Sequence, residues 1–384
     1  MMQKRGFPKA EFQQRVANAQ ARMAKAGLAA LLLTTETEVR YFTGFLTRFW
    51  ESPSRPWFLI VPASGDPIAV IPAIGGFLMG QSWITDIRTW LSPNPEDEGI
   101  GLLSEALREV AENGNVGLPM GPESYLRLPL AEYERLKSLT PCNFVSDQDI
   151  VADLRAVKSQ AEIAKIKASC DVAARAFAKV PEWAAEGMGL DQVFRQFQSS
   201  CLLEGAEFLA YLSGAAEQGG YGDVISPAGP KPLATGDVLM LDTGVVLDGY
   251  FCDYDRNYSV GVPSDAVRSA HARLIEASDT AFSCAKPGVT AADLYHAMDG
   301  VLTGGQGGGD AGRLGHGLGM QLTEGLSLIP QDQTVLTAGM VITLEPGIEV
   351  SAGKVMVHEE NVVITENGAE YLSPRMDAEI PRIG

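Results

Sequence analysis

Asp242 and Asp253 stand in apolar, β-prone surroundings, in the run V-L-M-L-D-T-G-V-V-L-D-G-Y-F-C-D-Y-D-R-N-Y-S from Val238 to Ser259. Val238 to Leu241 reads as a buried strand and Gly249 to Val260 as its hairpin partner, with a turn signal at Leu247-Asp248-Gly249. A carboxylate at the end of one strand and another in its antiparallel neighbour point into one interior region. Two anions there repel and lose hydration, so burial makes one of them take a proton unless a cation lies between them. A hard divalent metal is the natural cation. Taken alone, D-x-G and D-x-D would favour strand-end aspartates facing solvent.

Three later segments change that balance. Gly315-His316-Gly317-Leu318-Gly319 sets a His among glycines that permit close approach of backbone or substrate. In Thr343-Leu344-Glu345-Pro346-Gly347 a Glu ends the apolar strand Met340 to Leu344 at a Pro-Gly turn. Val355 to Ile364 reads as one strand with acids in its middle, a place where charged residues are almost never left without a partner. Two Asp, one His and two Glu suit a pair of divalent ions, which at ~3.5–4 Å separation clamp a reacting oxygen from both sides.

Asp242, Asp253, His316 in G-H-G-x-G, Glu345 in L-E-P-G and Glu359 in H-E-E-N-x-V-x-I-T together resemble the pita-bread metallopeptidase superfamily. That superfamily holds aminopeptidase P, prolidase, methionine aminopeptidase and the metal-free creatinase. The likeness is close from Arg155 onward and looser through Ala26-Gly27-Leu28 and Tyr41-Phe42-Thr43-Gly44-Phe45. It implies an α+β chain with a C-terminal pita-bread domain and a smaller N-terminal α/β domain of creatinase type. It also implies two divalent ions, among Mn, Co, Fe or Zn, with Asp253 and Glu359 bridging, Asp242 on one ion, and His316 with Glu345 on the other. Glu345 falls where the family keeps its general base, and a homodimer is implied as well.

Length and composition agree with such a chain. At 384 residues and 46% hydrophobic it can bury a sizeable core and is expected to hold two domains, 1–152 and 153–384, with a linker at Asp153 to Ser159. The net charge of −18 argues against nucleic acid and anionic membrane surfaces as partners, leaving a small molecule or short peptide. Five cysteines, odd in number and scattered, read as reduced core residues in a cytoplasmic protein, and neither a signal peptide nor a membrane span is visible.

The elements that must carry these residues alternate in the first half. A helix from Lys9 to Ala26 closed by Gly27, strands Leu28–Thr34, Trp57–Pro62, Ile68–Ile71 and Asn115–Leu118, and helices Leu102–Glu112 and Pro129–Leu139 make an α/β layer. In the second half, helices Gln160–Val180, Leu190–Glu204, Ala266–Ala285 and Ala291–Leu302 flank strands, which suits an antiparallel sheet covered by helices. The Arg48 to Trp57 loop reads either as a stiff surface loop packed by its own aromatics or as an arm reaching a neighbouring subunit's site. Gly304 to Gly309 lacks the Lys-Ser/Thr of a phosphate loop and reads as a flexible entry to the His316 segment.

Against the family pattern, the substitutions fall on groups that handle substrate. Seven residues after His316, where prolyl-cleaving members keep a second His, stands Thr323, and seventeen before Asp242 stands Ile225 in place of another. Only His271, His296, His316 and His358 exist, so Tyr221 or Asp223 would have to stand in. Val357 replaces an Arg two residues before Glu359, and Asp255 replaces a Thr after Asp253, where it either adds an oxygen near the metals or is neutralised by Arg256. His358, adjacent to Glu359, is expected on the opposite strand face. The reading is a metal-dependent hydrolase resembling Xaa-Pro dipeptidase or aminopeptidase P, cleaving an amide or peptide C–N bond with metal-bound hydroxide, and with Glu345, Thr323 and Tyr221 as candidate catalytic groups. The alternatives are a dimethylsulfoniopropionate-type lyase or creatinase-like enzyme on the same fold, and a non-catalytic binding protein.

Overall fold

The computed structural model describes residues 5–50, 55–307 and 312–384. Backbone packing divides the chain into two units, Met1–Arg155 and Ala156–Gly384, a division that falls just after the expected 152/153 boundary.

The first unit opens on the helix Lys9–Ala26, whose buried Phe12, Val16, Ala19 and Met23 recur at helical spacing, and Gly27 ends it at φ 66°. A mixed sheet follows, made of β1 (Leu28–Leu33), β2 (Phe58–Pro62), β3 (Ile68–Pro72), β4 (Asp86–Trp90), β5 (Asn115–Leu118) and β6 (Asn143–Ser146) in the order β4-β3-β2-β1-β5-β6. β1 is central and almost wholly buried, which explains its unbroken apolar run L-A-A-L-L-L. β4 escaped sequence reading because it is a half-exposed edge whose Asp86 and Arg88 pair with each other at 2.9 Å. Of the Arg48–Trp57 loop, residues 51–54 lie outside the described residues. Trp50 is buried against Trp57, 5.6 Å between ring centroids, with the Arg127 guanidinium over its ring, so both tryptophans pack within their own unit, while Phe49 is exposed.

In the second unit Ser159 and Glu162 form a capping box that starts the helix Gln160–Ala178. One sheet contains β7 (Phe208–Gln218), β8 (Asp237–Leu247), β9 (Tyr250–Phe251) and β10 (Tyr254–Val260). The expected turn is present, with Asp248 at φ 46° and Gly249 at φ 72°. A second sheet comprises β11 (Val341–Leu344), β14 (Glu360–Ile364) and β15 (Ala369–Tyr371), and β12 (Gly347–Ser351) pairs with β13 (Lys354–Val357) as a hairpin. A short β16 (Arg382–Ile383) closes the first of these sheets beside β10. The helices Asp265–Cys284 and Ala291–Thr303 bury Leu274, Leu294 and Met298 against Met240, Ile342, Met356 and Val362. Each such side chain contributes roughly 1.5–3 kcal/mol.

Two expected strands are broken where the acids lie. Gly249 to Val260 is interrupted at Cys252-Asp253, and Val355 to Ile364 divides at His358-Glu359 into β13 and β14, which belong to different sheets. The first break is held by a side chain. Asn361 accepts from the Asp253 N–H at 3.0 Å and donates to the Asp253 carbonyl, replacing the strand partner that the backbone lacks there.

The glycines around His316 serve backbone packing. A Cβ on Gly315, where φ is +144°, would lie 2.3 Å from the Thr343 carbonyl oxygen, and one on Gly317 would lie 2.0 Å from that of Glu324. Gly317→Ala is therefore expected to cost on the order of 3 kcal/mol in chemical denaturation, because neither obstructing atom is the mobile end of a side chain. The Gly304–Gly309 stretch, of which Gly308 and Gly309 lie outside the described residues, ends the preceding helix. Gly304 is its left-handed cap and the Gly307 N–H bonds Asp299 at 3.1 Å.

Candidate metal centre

His316 is held by its neighbours in one orientation. Its backbone N–H donates to Thr343 Oγ1 at 3.0 Å, and its Nδ1 lies 2.9 Å from the Gly317 carbonyl oxygen, which can only accept. The N–H on that side leaves Nε2 facing Asp253 Oδ2 at 3.2 Å and Glu345 Oε1 at 2.8 Å. Thr343 also donates to Glu345 Oε1 at 2.5 Å, so one hydroxyl positions both the His strand and the Glu that ends β11.

Ligand atoms of Asp253, His316, Glu345 and Glu359 all lie within 4.8 Å of one another. Asp242 joins them through Tyr211, whose hydroxyl is 2.7 Å from Asp242 Oδ1 and also contacts Asp253 Oδ1. Ser213 reaches the other Asp242 oxygen at 3.4 Å. Tyr211 and Ser213 escaped sequence reading, since F-L-A-Y-L-S looks like an ordinary strand, and the one available signal is that both residues fall on the strand preceding β8.

So many acids in one place cannot all ionise. Burial and the neighbouring Asp253 push Asp242 up to about 8. Burial and the charges of Asp253 and Glu345 push Glu359 well above the carboxylate range, and burial raises Asp253 in spite of His316. Burial would raise Glu345 too, but the His316 imidazolium outweighs it and holds this acid at about 2. Burial likewise opposes the charge on His316, and Asp253 with Glu345 overcome it and bring the ring to about 10. Glu359 Oε1 is buried with no hydrogen-bond partner among the described residues. A donor set of four carboxylates and one imidazole, short of positive charge and with an orphaned oxygen, fits divalent cations.

Glu345 keeps 23% of its side chain exposed, enough to meet a water in the adjoining cavity of about 790 Å³. Thr323 Oγ1 accepts a hydrogen bond from Arg313 at 3.1 Å, and Arg313 lines that cavity. Tyr221 does not serve as expected. It is fully buried, away from the cavity wall, with its hydroxyl donating to Asn257 Oδ1 at 3.1 Å and accepting from the Val357 N–H at 2.7 Å. Asp223 is exposed and caps its own turn through the Ile225 N–H. Arg256 pairs with Glu360 at 3.0 Å and bonds the Asp255 backbone carbonyl, and its charge only partly offsets the burial and the Asp242 charge that push the Asp255 carboxyl well above the usual range. His358 and Glu359 both line the cavity, contrary to the opposite-face expectation, because the strand breaks at these two residues and alternation no longer applies.

Residues 164–366 match the model of metallopeptidase family M24, and residues 15–157 match that of the creatinase/prolidase N-terminal domain. The chain is 28% identical over 386 residues to a probable dipeptidase PepE of Mycobacterium tuberculosis, covering 96% of each. It is 33% identical over 258 residues to an Xaa-Pro dipeptidase of Pyrococcus furiosus, covering 66% of this chain and 73% of that one. Among solved structures, dipeptidase PepE from Mycobacterium ulcerans superposes with a TM-score of 0.84 at 27% identity, covering 98% of this chain and 99% of that one.

Proposed function

Since this chain belongs to metallopeptidase family M24, we propose that it is a dipeptidase of small peptides, Xaa-Pro dipeptides first among them, working with two divalent ions drawn from Mn, Co, Fe or Zn. The observation that carries the site is the convergence of Asp253, His316, Glu345 and Glu359 within 4.8 Å, with Asp242 tied in by Tyr211. These five residues would hold the ions, which when bound supply Lewis acidity for the carbonyl and make water a nucleophile near neutral pH. Glu345, ionised, part-exposed and oriented by Thr343, takes the proton of the attacking water and returns it to the departing amine. Thr323 does not itself line the cavity, and its part is to orient Arg313, which does line it, toward the developing oxyanion.

The dipeptidase names of the relatives favour this reading over the lyase, creatinase-like and binding-protein alternatives. The test is to load the chain with each metal in turn and follow release of free amino acids from Xaa-Pro dipeptides, with sulfonium acids as controls. Release of a volatile thioether without peptide cleavage would overturn it. The same reading makes the protein a cytoplasmic homodimer, in keeping with five free cysteines, and sedimentation velocity checks the dimer. No helix among the described residues is long and apolar enough to cross a membrane.

Metal affinity is expected to climb with pH. Asp242 at about 8 and His316 at about 10 both carry protons that a cation must displace. The Kd should therefore fall about tenfold per pH unit for each proton released between pH 6 and 8, as titration calorimetry in buffers of different ionisation enthalpy would show.

A further inference from the structure

Lys158 and Glu324 form an ion pair, 2.9 Å from Nζ to Oε1, with only 2% and 7% of their side chains exposed. Neither lines the cavity or belongs to the donor set of the metal centre. A buried pair of this kind is a weak source of stability, since two apolar side chains of similar volume commonly do as well or better. What it supplies is direction. The lost hydration is offset only where the two groups meet in one geometry and their remaining hydrogen-bonding positions are filled.

Both ends of the pair are fastened to backbone that carries the site. Lys158 follows Val157, which bridges Met340, and its own N–H donates to the Gly339 carbonyl at 2.9 Å, at the entrance to β11. Its ammonium also donates to the Ala156 carbonyl at 3.2 Å. On the other side, Glu324 closes the segment that begins at His316. The Glu324 N–H donates to the Gly317 carbonyl at 2.8 Å, and its second carboxylate oxygen accepts from the Gln321 N–H at 3.3 Å. A Cβ on Gly319 would fall 2.1 Å from Glu324 Oε1 and 2.9 Å from Lys158 Cε, so the last glycine of G-H-G-L-G leaves the room that the pair occupies.

Two groups assigned to the reaction are thereby tied together. β11 leads into Glu345, the base, while Thr323, next to Glu324, accepts from Arg313 at 3.1 Å. His316 has its own support. Its N–H donates to Thr343 Oγ1 at 3.0 Å, and its carbonyl accepts from the Thr343 N–H at 2.8 Å. Loss of the pair therefore loosens Thr323 and Arg313 while the donor set stays in place.

We propose that Lys158 and Glu324 are positioning residues, which fix Thr323, and through it Arg313, against the strand that carries the base. The inference rests on the peptidase reading for its consequence in turnover.

The experiment uses the metal-loaded full chain with Lys158→Met and Glu324→Gln together, a change that strands no buried charge, and Lys158→Met with Glu324→Leu should the first variant fold poorly. Metal content and the KM for an Xaa-Pro dipeptide should stay within twofold of wild type, while kcat falls at least tenfold. Hydrogen exchange over residues 319–324 should quicken at least tenfold, with residues 341–344 unchanged. Thr323→Val should lower kcat in the wild-type background and change it less than twofold in the variant, because the pair and Thr323 act on the same guanidinium. A kcat within twofold of wild type, loss of metal, an additive effect of Thr323→Val, or unchanged exchange over 319–324 would each overturn the proposal and leave the pair a part of the fold only. Wild type that cleaves no Xaa-Pro dipeptide with any of the four metals sinks the peptidase reading instead, and hydrogen exchange then decides whether the pair holds Thr323.

Discussion

Alanine at both Asp253 and Glu359 is expected to leave no metal detectable by elemental analysis and to lower dipeptide turnover on the order of a thousandfold or more. The two carboxylates come from different sheets and converge on His316 and Glu345, so their loss removes the middle of the donor set. A second result should accompany the first. Burial and repulsion by neighbouring acids raise both, which means that without a cation they oppose folding. After exhaustive chelation the double variant should therefore melt above the chelated wild type, and with metal present the order should reverse. Unchanged metal content in the variant would sink the dinuclear reading.

Arg256→Leu should destabilise the protein by about 3–5 kcal/mol in urea denaturation, because it leaves Glu360 charged and buried without its cation. The guanidinium makes more than the 3.0 Å ion pair. It also donates to the Glu359 carbonyl at 3.0 Å and to the Pro374 carbonyl at 2.6 Å, and those oxygens would lose their donor. Its charge, overcoming burial, keeps Glu360 at about 2. Adding Glu360→Gln to the Leu variant should recover part of the loss, which separates the stranded charge from the missing hydrogen bonds. A loss below about 1 kcal/mol would mean that water reaches Glu360.

Residue type and order were enough to single out Asp242, Asp253, His316, Glu345 and Glu359 as candidates, because buried acids in apolar strands need an explanation and four of them with one His admit few. What stayed hidden were the groups that act on those residues. Tyr211 looks like any strand aromatic, and Asn361 like a polar residue after two acids, yet one joins Asp242 to Asp253 and the other holds the Asp253 backbone. The strand breaks at Cys252-Asp253 and His358-Glu359 were equally invisible. Apolar alternation runs on across both, and only a partner far along the chain decides where the ladder stops. Tyr221 was misread for a related reason: its spacing from Asp242 brings it near the site in sequence, while its hydroxyl is spent joining Asn257 to the Val357 backbone.

The Asn361 clasp on Asp253 spans 108 residues. At a synthesis rate of roughly 5–20 residues per second, the β8–β10 acids leave the ribosome some 5–20 seconds before the amide that fixes one of them. As that interval opens, Asp242, Asp253 and Asp255 are hydrated and free to ionise, because His316, Glu345 and Glu359 all follow them in the chain. Dehydration of the acids is thus deferred until the last ligand arrives, and a nascent chain truncated before Asn361 should bind metal no better than an unfolded acidic peptide.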